Sequence, residues 1–307
     1  MDTIGVNLQA VKQRIENAAR ACGREPAAVG LIAVSKTFGA DAVATAHRHG
    51  QRAFGENYVQ EAVAKMAELS GLALESRVET ARDERNSISI DARGPTAGVA
   101  SPKGPLLRPL ESRIAPAHRE FDLTSGDARG PSAGVASPKG PLLRPLEWHF
   151  IGPIQSNKTR AIAERFDWVH SVDRLKIAER LSAARPAGSA ALQVCVQVNI
   201  GDESTKSGVA PARVPELLRA VAALPRLKLR GLMAIPPASG DPAQQRRYFA
   251  QLRRLKNEME AEGIGLDTLS MGMSDDLEAA IAEGATLVRV GTAIFGPRTV
   301  RDEGVKE

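Results

Sequence analysis

Short apolar segments alternate with amphipathic segments along most of this chain. The apolar segments are near-continuous runs of Val, Ile, Leu and Ala, which are typical of strands buried on both faces in a parallel sheet. Eight strands are predicted in this way, at about 31–36, 53–57, 148–152, 168–172, 193–200, 229–235, 268–273 and 287–291.

The segments between these strands carry apolar residues at helical spacing. An opening helix is predicted from Val6 to Cys22, with Val11, Ile15, Ala18 and Cys22 on one face. Further helices are predicted at about 41–49, 59–69, 157–165, 174–184, 211–223, 242–262 and 275–283.

This alternation predicts an α/β fold. Eight strand–helix units in succession favour a (β/α)8 TIM barrel, in which helices surround a closed parallel sheet. A doubly wound open sheet is the alternative, but no GxGxxG turn follows the first strand, which disfavours it. The barrel is therefore the predicted fold.

The middle of the chain holds a tandem repeat with a period of 36 residues. The copies span 74–109 and 110–145, and their last 19 residues differ at one position. Together they contain nine of the 19 prolines, and proline at this frequency breaks helices and strand ladders alike. We predict a largely disordered insert over 74–145 that contributes nothing to the chemistry. The remaining 235 residues (307 − 72), 1–73 and 146–307, are predicted to form a single barrel domain of typical size.

Charge and composition narrow the class of protein. The formal net charge is +5, and no aromatic residues interleave with the basic ones, so nucleic-acid binding is not predicted. The chain has no run of 18 apolar residues and no secretory signal at its N-terminus, so neither a membrane span nor export is expected. Cys22 and Cys195 lie in apolar patterns and are predicted to be buried thiols, which suits a reducing cytoplasm.

Polar residues stand at or just after the C-terminal ends of several predicted strands. In a barrel these ends converge on one mouth, where active sites lie. The residues expected to meet there are Lys36, Asn57, Gln155, Asn199, Ser274 and Thr292.

Three of the features at this mouth together indicate a particular cofactor. Lys36 ends a buried strand and can form a Schiff base with an aldehyde, although a strand-end lysine is usually only a solvated residue. The small turns at Ser274 and at Gly291-Thr292 let backbone N–H groups approach a phosphate closely. Arg289 can hydrogen-bond a pyridine nitrogen. Pyridoxal 5′-phosphate (PLP) requires a lysine, a phosphate cradle and a partner for its ring nitrogen.

The same residues lie within longer blocks that resemble the pyridoxal phosphate homeostasis proteins. The resemblance covers essentially all of the chain outside 74–145. It is carried by AVSK at 33–36, FGENYVQE at 54–61, WHFIGPIQSNK at 148–158, GLMAI at 231–235, LSMGMS at 269–274 and VRVGTAIFG at 288–296.

This resemblance implies a barrel like the N-terminal domain of alanine racemase, with PLP bound at Lys36 and Arg289 facing the pyridine nitrogen. An arginine that donates to this nitrogen leaves it unprotonated and makes the ring a weaker electron sink.

The family pattern also implies the other contacts of the cofactor. Ser274, Gly291 and Thr292 are expected to hold the phosphate, and Asn57 and Met233 to lie near the cofactor. No metal ligand and no catalytic residue is predicted.

Two functions are compatible with these features. The resemblance implies PLP homeostasis and supply without turnover, with apo-enzymes as the recipients. We expect the chain to be a cytoplasmic monomer. The alternative is a PLP-dependent amino-acid racemase, which needs a second base. His149 on the third strand is expected either near the ring or as a satisfied core histidine, and Lys206 either at substrate or in solvent. The residues leave both questions open.

Overall fold

The strands and helices predicted from the apolar periodicity form in the same order in a computed structural model, which describes residues 2–71, 145–201 and 207–297. The strands are β1 Gly30–Val34, β2 Ala53–Glu56, β3 Glu147–Phe150, β4 Trp168–Val172, β5 Leu192–Gln197, β6 Leu227–Met233, β7 Thr268–Ser270 and β8 Leu287–Val290. The helices are α1 Thr3–Ala21, α2 Ala40–Arg48, α3 at 59–71, α4 Thr159–Arg165, α5 Leu175–Ala184, α6 Val214–Ala222, α7 Pro242–Ala261, α8 Leu277–Ala282 and α9 Thr292–Phe295.

The eight strands form a closed parallel barrel in sequence order. Closure is made by β1 and β8, where Leu31 pairs with Val288 and Ala33 with Val290. The predicted (β/α)8 barrel is thereby confirmed, and the open-sheet alternative is excluded. Parallel order brings the C-terminal ends of all eight strands to one mouth.

The outer face of the barrel and the helices share the main apolar core. Helix α1 belongs to this outer layer, because it packs against α2, α8 and α9. Since α9 is only four residues long, α1 fills the place that a long helix after β8 would take. The first helix of the chain therefore sits beside the last strand of the barrel.

The bounds of α1 differ from the prediction at its start. The helix begins at Thr3 rather than Val6, because the side chain of Asp2 accepts a hydrogen bond from Gly5 N–H at 3.1 Å and caps the first turn.

The two cysteines have different surroundings. The prediction that Cys22 is buried was wrong, since it caps the C-terminus of α1 one turn beyond the last buried residue, Ala19, and is exposed. Cys195, in β5, is fully buried as predicted.

The predicted insert at 74–145 lies outside the described residues except for its last position. The described chain stops at residue 71 in α3 and resumes at 145, two residues before β3. None of the helices in the described ranges combines the length and the apolar composition that a bilayer span requires.

Candidate functional site

A cavity of about 460 Å³ opens at the C-terminal ends of β1, β2, β7 and β8. This volume is within the range of small-molecule sites in proteins. Six of the seven residues predicted to bind a cofactor line it: Lys36, Asn57, Ser274, Arg289, Gly291 and Thr292.

Lys36 reaches the cavity because the chain turns sharply after β1. The strand ends at Val34, and the next backbone N–H, of Ser35, donates to Gly55 O at 3.0 Å. Thr37 then adopts a positive φ of 70°, which is strained for a β-branched residue. Its N–H is held by the Glu61 carboxylate at 2.6 Å. The strained residue directly follows a lysine that lines the cavity, and such strain is common at functional sites.

A buried ion pair lies directly behind Lys36. Glu56 at the end of β2 accepts hydrogen bonds from Ser35 Oγ at 2.7 Å and from Lys65 Nζ at 2.6 Å. Lys65 Nζ also donates to the Ser35 carbonyl at 2.8 Å. Burial raises the pKa of Glu56 above its usual value, although Lys65 and Ser35 act against the shift. We call Ser35, Glu56, Lys65 and Glu61 the lysine anchor, because together they fix the backbone on both sides of Lys36.

Arg289 forms part of the cavity floor from the third position of β8. Its guanidinium donates to Ser270 Oγ at 2.7 Å and to the Ala234 carbonyl at 2.9 Å. Burial lowers the pKa of Arg289 to about 10, so the group remains a cation at neutral pH. Within the described ranges, no carboxylate lies in salt-bridge range of it. A buried cation without a paired anion is costly unless a ligand uses it.

The turn between β7 and α8 forms one side of the cavity. Gly272 has φ +94°, and a Cβ there would lie 2.6 Å from Ala280 Cβ, so only glycine fits. The Asp276 carboxylate then accepts from Met273 N–H at 2.6 Å, which closes the turn and presents Ser274. Burial raises the pKa of Asp276 above its usual value.

Arg14 is a cavity residue that the sequence reasoning missed. It reaches over from α1 and donates to the Ser274 carbonyl at 3.0 Å while pairing with Glu278 at 2.9 Å. A cation at this side of the cavity complements an anionic ligand group. On the sequence Arg14 is one of several polar residues on an amphipathic helix, and no signal there singles it out.

Asn57 provides a test of whether the cavity suits a ligand. The described part of the chain offers no hydrogen-bond partner to its buried Oδ1. Gly152 after β3 packs against it so closely that a Cβ would lie 2.4 Å from the Asn57 carbonyl. A buried amide oxygen without a donor is costly, and a bound ligand or water would satisfy it. The residues present therefore fit a polar ligand with an anionic group.

Met233 is the one predicted cofactor residue that does not line the cavity. It is fully buried inside the barrel with Trp168 and Cys195, and Ile235, two residues further on, lines the cavity instead. His149 also does not line the cavity. It is a buried core histidine that stacks on Trp168 and lies 2.9 Å from His170, but among the described residues its Nε2 has no aligned hydrogen-bond partner. Lys206 lies outside the described residues.

Comparisons with known proteins agree on one group of relatives. The family described as alanine racemase, N-terminal domain, matches residues 6–299. The pyridoxal phosphate homeostasis protein of Pseudomonas aeruginosa is 48% identical over 298 residues, which cover 97% of this chain and 97% of that protein. The protein of the same name from Escherichia coli (strain K12) is 40% identical over 298 residues, 97% of this chain and 98% of that protein. The solved structure of PipY from Synechococcus elongatus with PLP bound is 31% identical, has a TM-score of 0.64, and is matched over 95% of this chain and 100% of that chain.

Proposed function

The chain belongs to the family of pyridoxal phosphate homeostasis proteins, and on that premise we propose that it binds PLP in the cavity and serves the supply of this cofactor. One observation carries the proposal above the others. Arg289 is a buried cation with no described carboxylate within salt-bridge distance, although Asp276 acts on it from further away, and it lies in one cavity with a strand-end lysine. Such an arrangement costs stability in the free protein and is explained by a ligand that needs both groups.

The polar residues of the cavity divide the binding of PLP among them. PLP supplies an aldehyde that condenses reversibly with amines and a ring that withdraws electrons. When PLP is bound, Lys36 would hold its aldehyde carbon, while the lysine anchor keeps the backbone of Lys36 still. Arg289 would donate to the ring nitrogen. Because arginine does not give up its proton at neutral pH, the ring nitrogen stays unprotonated.

The turns after β7 and β8 would hold the phosphate. Ser274, Gly291 and Thr292 would bind it there, with Arg14 adding a positive charge. The Asn57 amide would contact a polar group of the ligand, while Met233 stays within the barrel interior.

Homeostasis is favoured over turnover by the composition of the cavity wall. A racemase needs a base on each face of the cofactor, and Lys36 would supply one of them. The described residues that line the cavity include no histidine, tyrosine or cysteine to supply the other, and their one carboxylate, Asp275, lies on the turn proposed to hold the phosphate. The racemase remains the second candidate. Screening amino acids for proton exchange at Cα, with PLP saturating, separates the two functions.

The proposal is tested by adding PLP to the purified chain and recording the visible absorption of the imine. Borohydride reduction followed by peptide mapping then locates the modified lysine. We expect the label on Lys36, loss of the band in Lys36→Ala, and no change in Lys176→Ala, an exposed lysine on α5. A wild-type chain without the band, or a label that persists in Lys36→Ala, overturns the proposal.

The recipients of PLP would be apo-enzymes, and we propose that the chain serves them as a cytoplasmic monomer. Both described cysteines are free thiols, which suits a reducing compartment. Mixing the PLP-loaded chain with an apo-enzyme and following recovery of that enzyme's activity tests the transfer. Gel filtration at several concentrations tests the monomer.

The region 74–145 is proposed to be dispensable for binding. Joining residue 73 to 146 should leave PLP binding unchanged, because every described cavity residue lies outside this region. A folded deletion variant that no longer binds PLP would show that the region takes part in the site.

A further inference from the structure

A line of polar side chains runs through the interior of the barrel below the cavity. Arg289 contacts Ser270 Oγ at 2.7 Å, and Ser270 Oγ lies 2.8 Å from His170 Nδ1. His170 Nε2 lies 2.9 Å from His149 Nδ1, and His149 Nε2 lies 3.0 Å from the Glu147 carboxylate. We call these five residues the interior line. It joins the cavity floor to the opposite face of the barrel, where β3 begins at Glu147.

The charged ends of the line determine which way its hydrogen bonds point. Arg289 can only donate, so Ser270 Oγ accepts from it. At the other end, Glu147 carries a depressed pKa, chiefly because His149 hydrogen-bonds to it, so it is a carboxylate that needs a donor. His149 Nε2 therefore carries the proton, although the carboxylate lies off the axis of that N–H.

The proton positions on the two histidines follow from the charged residues at the two ends of the interior line. We take His149 to carry one proton, on Nε2, so that its Nδ1 lone pair accepts from His170 Nε2–H. Two protons on His149 would reverse this bond. His170 Nδ1 is then the acceptor for the Ser270 hydroxyl. Burial lowers the pKa of His170 well below its usual value, so this ring is neutral. Every hydrogen bond thus points from Arg289 towards Glu147.

This direction has a consequence for the guanidinium of Arg289. When the Ser270 hydroxyl donates to His170 Nδ1, both lone pairs of its oxygen remain for other donors, and Arg289 takes one of them. With a proton on Nδ1, His170 would donate to the same oxygen, and Arg289 would share it with a second donor. With Ser270 and the Ala234 carbonyl both accepting, the planar guanidinium is fixed at two points.

We propose that Ser270 and His170 are positioning residues that hold Arg289 for its contact with the cofactor ring, and that Glu147 at the far end fixes the tautomers of both histidines. This inference rests on the proposed function in one respect, namely that Arg289 faces the ring nitrogen of PLP. The direction of the interior line does not depend on it.

The direction is tested on the full chain without cofactor by ¹⁵N NMR of the imidazole nitrogens. The chain has five histidines, and His→Gln variants assign the signals. We expect His149 and His170 as neutral Nε2–H tautomers. Glu147→Leu removes the terminal acceptor and should move both rings towards the Nδ1–H form. A wild-type His170 with its proton on Nδ1 overturns the proposal.

Glu164→Leu is the matched control for Glu147→Leu. The Glu164 side chain is 41% exposed and that of Glu147 is 42% exposed, but Glu164 lies on α4 and pairs with Arg160 outside the line. We expect no change in either imidazole signal. Equal changes in both variants would show that the tautomers respond to general charge rather than to the line.

Positioning of Arg289 is tested by PLP binding to Ser270 variants. Ser270→Ala keeps the fold and loses the hydroxyl, so we expect about tenfold weaker PLP binding. We also expect a shifted pH profile of the imine band, because the ring nitrogen loses its fixed donor. Ser270→Thr retains the hydroxyl and should recover both. Wild-type affinity and an unchanged profile in Ser270→Ala overturn the positioning role.

The two proposals fail in different ways. If the wild-type chain binds no PLP, the proposed function fails, while the NMR arm still decides the direction of the line. If the wild-type chain binds PLP and Ser270→Ala binds it equally well, the function stands and the positioning role is wrong. If Ser270→Ala loses thermal stability but keeps the wild-type PLP affinity and pH profile, the interior line only stabilises the barrel, and the positioning role is wrong.

Discussion

Lys36 and Arg289 line the same cavity but are supported in different ways. Behind Lys36 lies a buried ion pair, Glu56 with Lys65, which holds the backbone through Ser35. Behind Arg289 lies a series of neutral groups that holds the side chain itself.

The fixed backbone at Lys36 and the fixed side chain at Arg289 suit the different roles proposed for the two residues. A lysine that exchanges covalent partners is served by a fixed backbone, and the lysine anchor acts on that backbone. An arginine that contributes a constant charge works best when its guanidinium is fixed. Removing one partner of a buried ion pair leaves an uncompensated charge and acts on the fold. Removing one neutral hydrogen bond has a smaller effect on the fold and should act mainly on the ligand.

Lys65→Met is expected to have the largest effect on stability. It leaves the Glu56 carboxylate buried without its cation, which typically costs about 3–5 kcal/mol of unfolding free energy. Urea unfolding at neutral pH measures the loss. Lys176→Met, at an exposed position on α5, is the control and should change the free energy by less than about 0.5 kcal/mol.

The loss should depend on pH in a defined direction. Burial already raises the pKa of Glu56 in the folded chain, and without Lys65 the pKa rises further. A carboxyl whose pKa is higher in the folded state loses stability as pH rises, so the deficit should grow from roughly pH 5 to pH 8. Glu56→Gln combined with Lys65→Met should remove this dependence. A flat deficit in the single variant would show that Glu56 is not its source.

Arg289→Met should weaken PLP binding more than it weakens the fold, whereas Lys65→Met is expected to act mainly on the fold. The variant removes a buried cation that has no described carboxylate within salt-bridge distance, so the unfolding free energy should fall by no more than about 1 kcal/mol. PLP affinity should fall at least about tenfold, because a charged donor to the ring is lost. Equilibrium binding and urea unfolding of the same preparation measure both. A large loss of stability with intact binding would contradict the comparison.

Arg14→Gln should have a smaller effect that is specific to the phosphate. The ion pair with Glu278 is exposed, so its loss costs at most about 1 kcal/mol of stability. We expect PLP binding to weaken about threefold to tenfold, while pyridoxal, which lacks the phosphate, binds as it does to the wild-type chain. Arg20→Gln, on the same helix and paired with Glu16, is the control. Equal weakening for both ligands would place Arg14 away from the phosphate.

The barrel was predictable because its signals are local and repeated. Eight apolar runs separated by helical periodicity specify a parallel sheet, and the number of units specifies closure. Strand-end positions such as Lys36 and Asn57 were predictable for the same reason, because the fold brings all C-terminal ends to one mouth.

The residues that the sequence analysis missed depend on contacts between distant segments. Arg14 and Lys65 are ordinary polar positions of amphipathic helices, and only packing against the barrel makes one a cavity residue and buries the other. Met233 was expected beside the cofactor, but it ends β6 inside the barrel, and Ile235 beyond the strand lines the cavity instead. Cys22 was expected to be buried, but its helix ends one turn after its last buried residue.

The reactivity of the two cysteines is a direct probe of the barrel interior, and of all the predictions it requires the smallest change to the protein. Cys195 is buried beside Met233 and Trp168, and burial raises the pKa of its thiol to about 12, whereas Cys22 is exposed. Since the thiolate is the reactive form, a maleimide at neutral pH should modify Cys22 alone in the native chain and both thiols in urea. Mass spectrometry of the digested protein gives the ratio.

Maleimide labelling of Cys195 also distinguishes the lysine anchor behind Lys36 from the interior line behind Arg289. Labelling of Cys195 should accelerate in Lys65→Met, because that variant unfolds more often. It should stay slow in Arg289→Met, which weakens the ligand site without opening the barrel. Rapid labelling of Cys195 in the native wild-type chain would mean that the interior line is open to solvent. Water would then compete with Ser270 and His170 for their hydrogen bonds, and these neutral groups could not fix Arg289 as firmly as the buried ion pair fixes the backbone at Lys36.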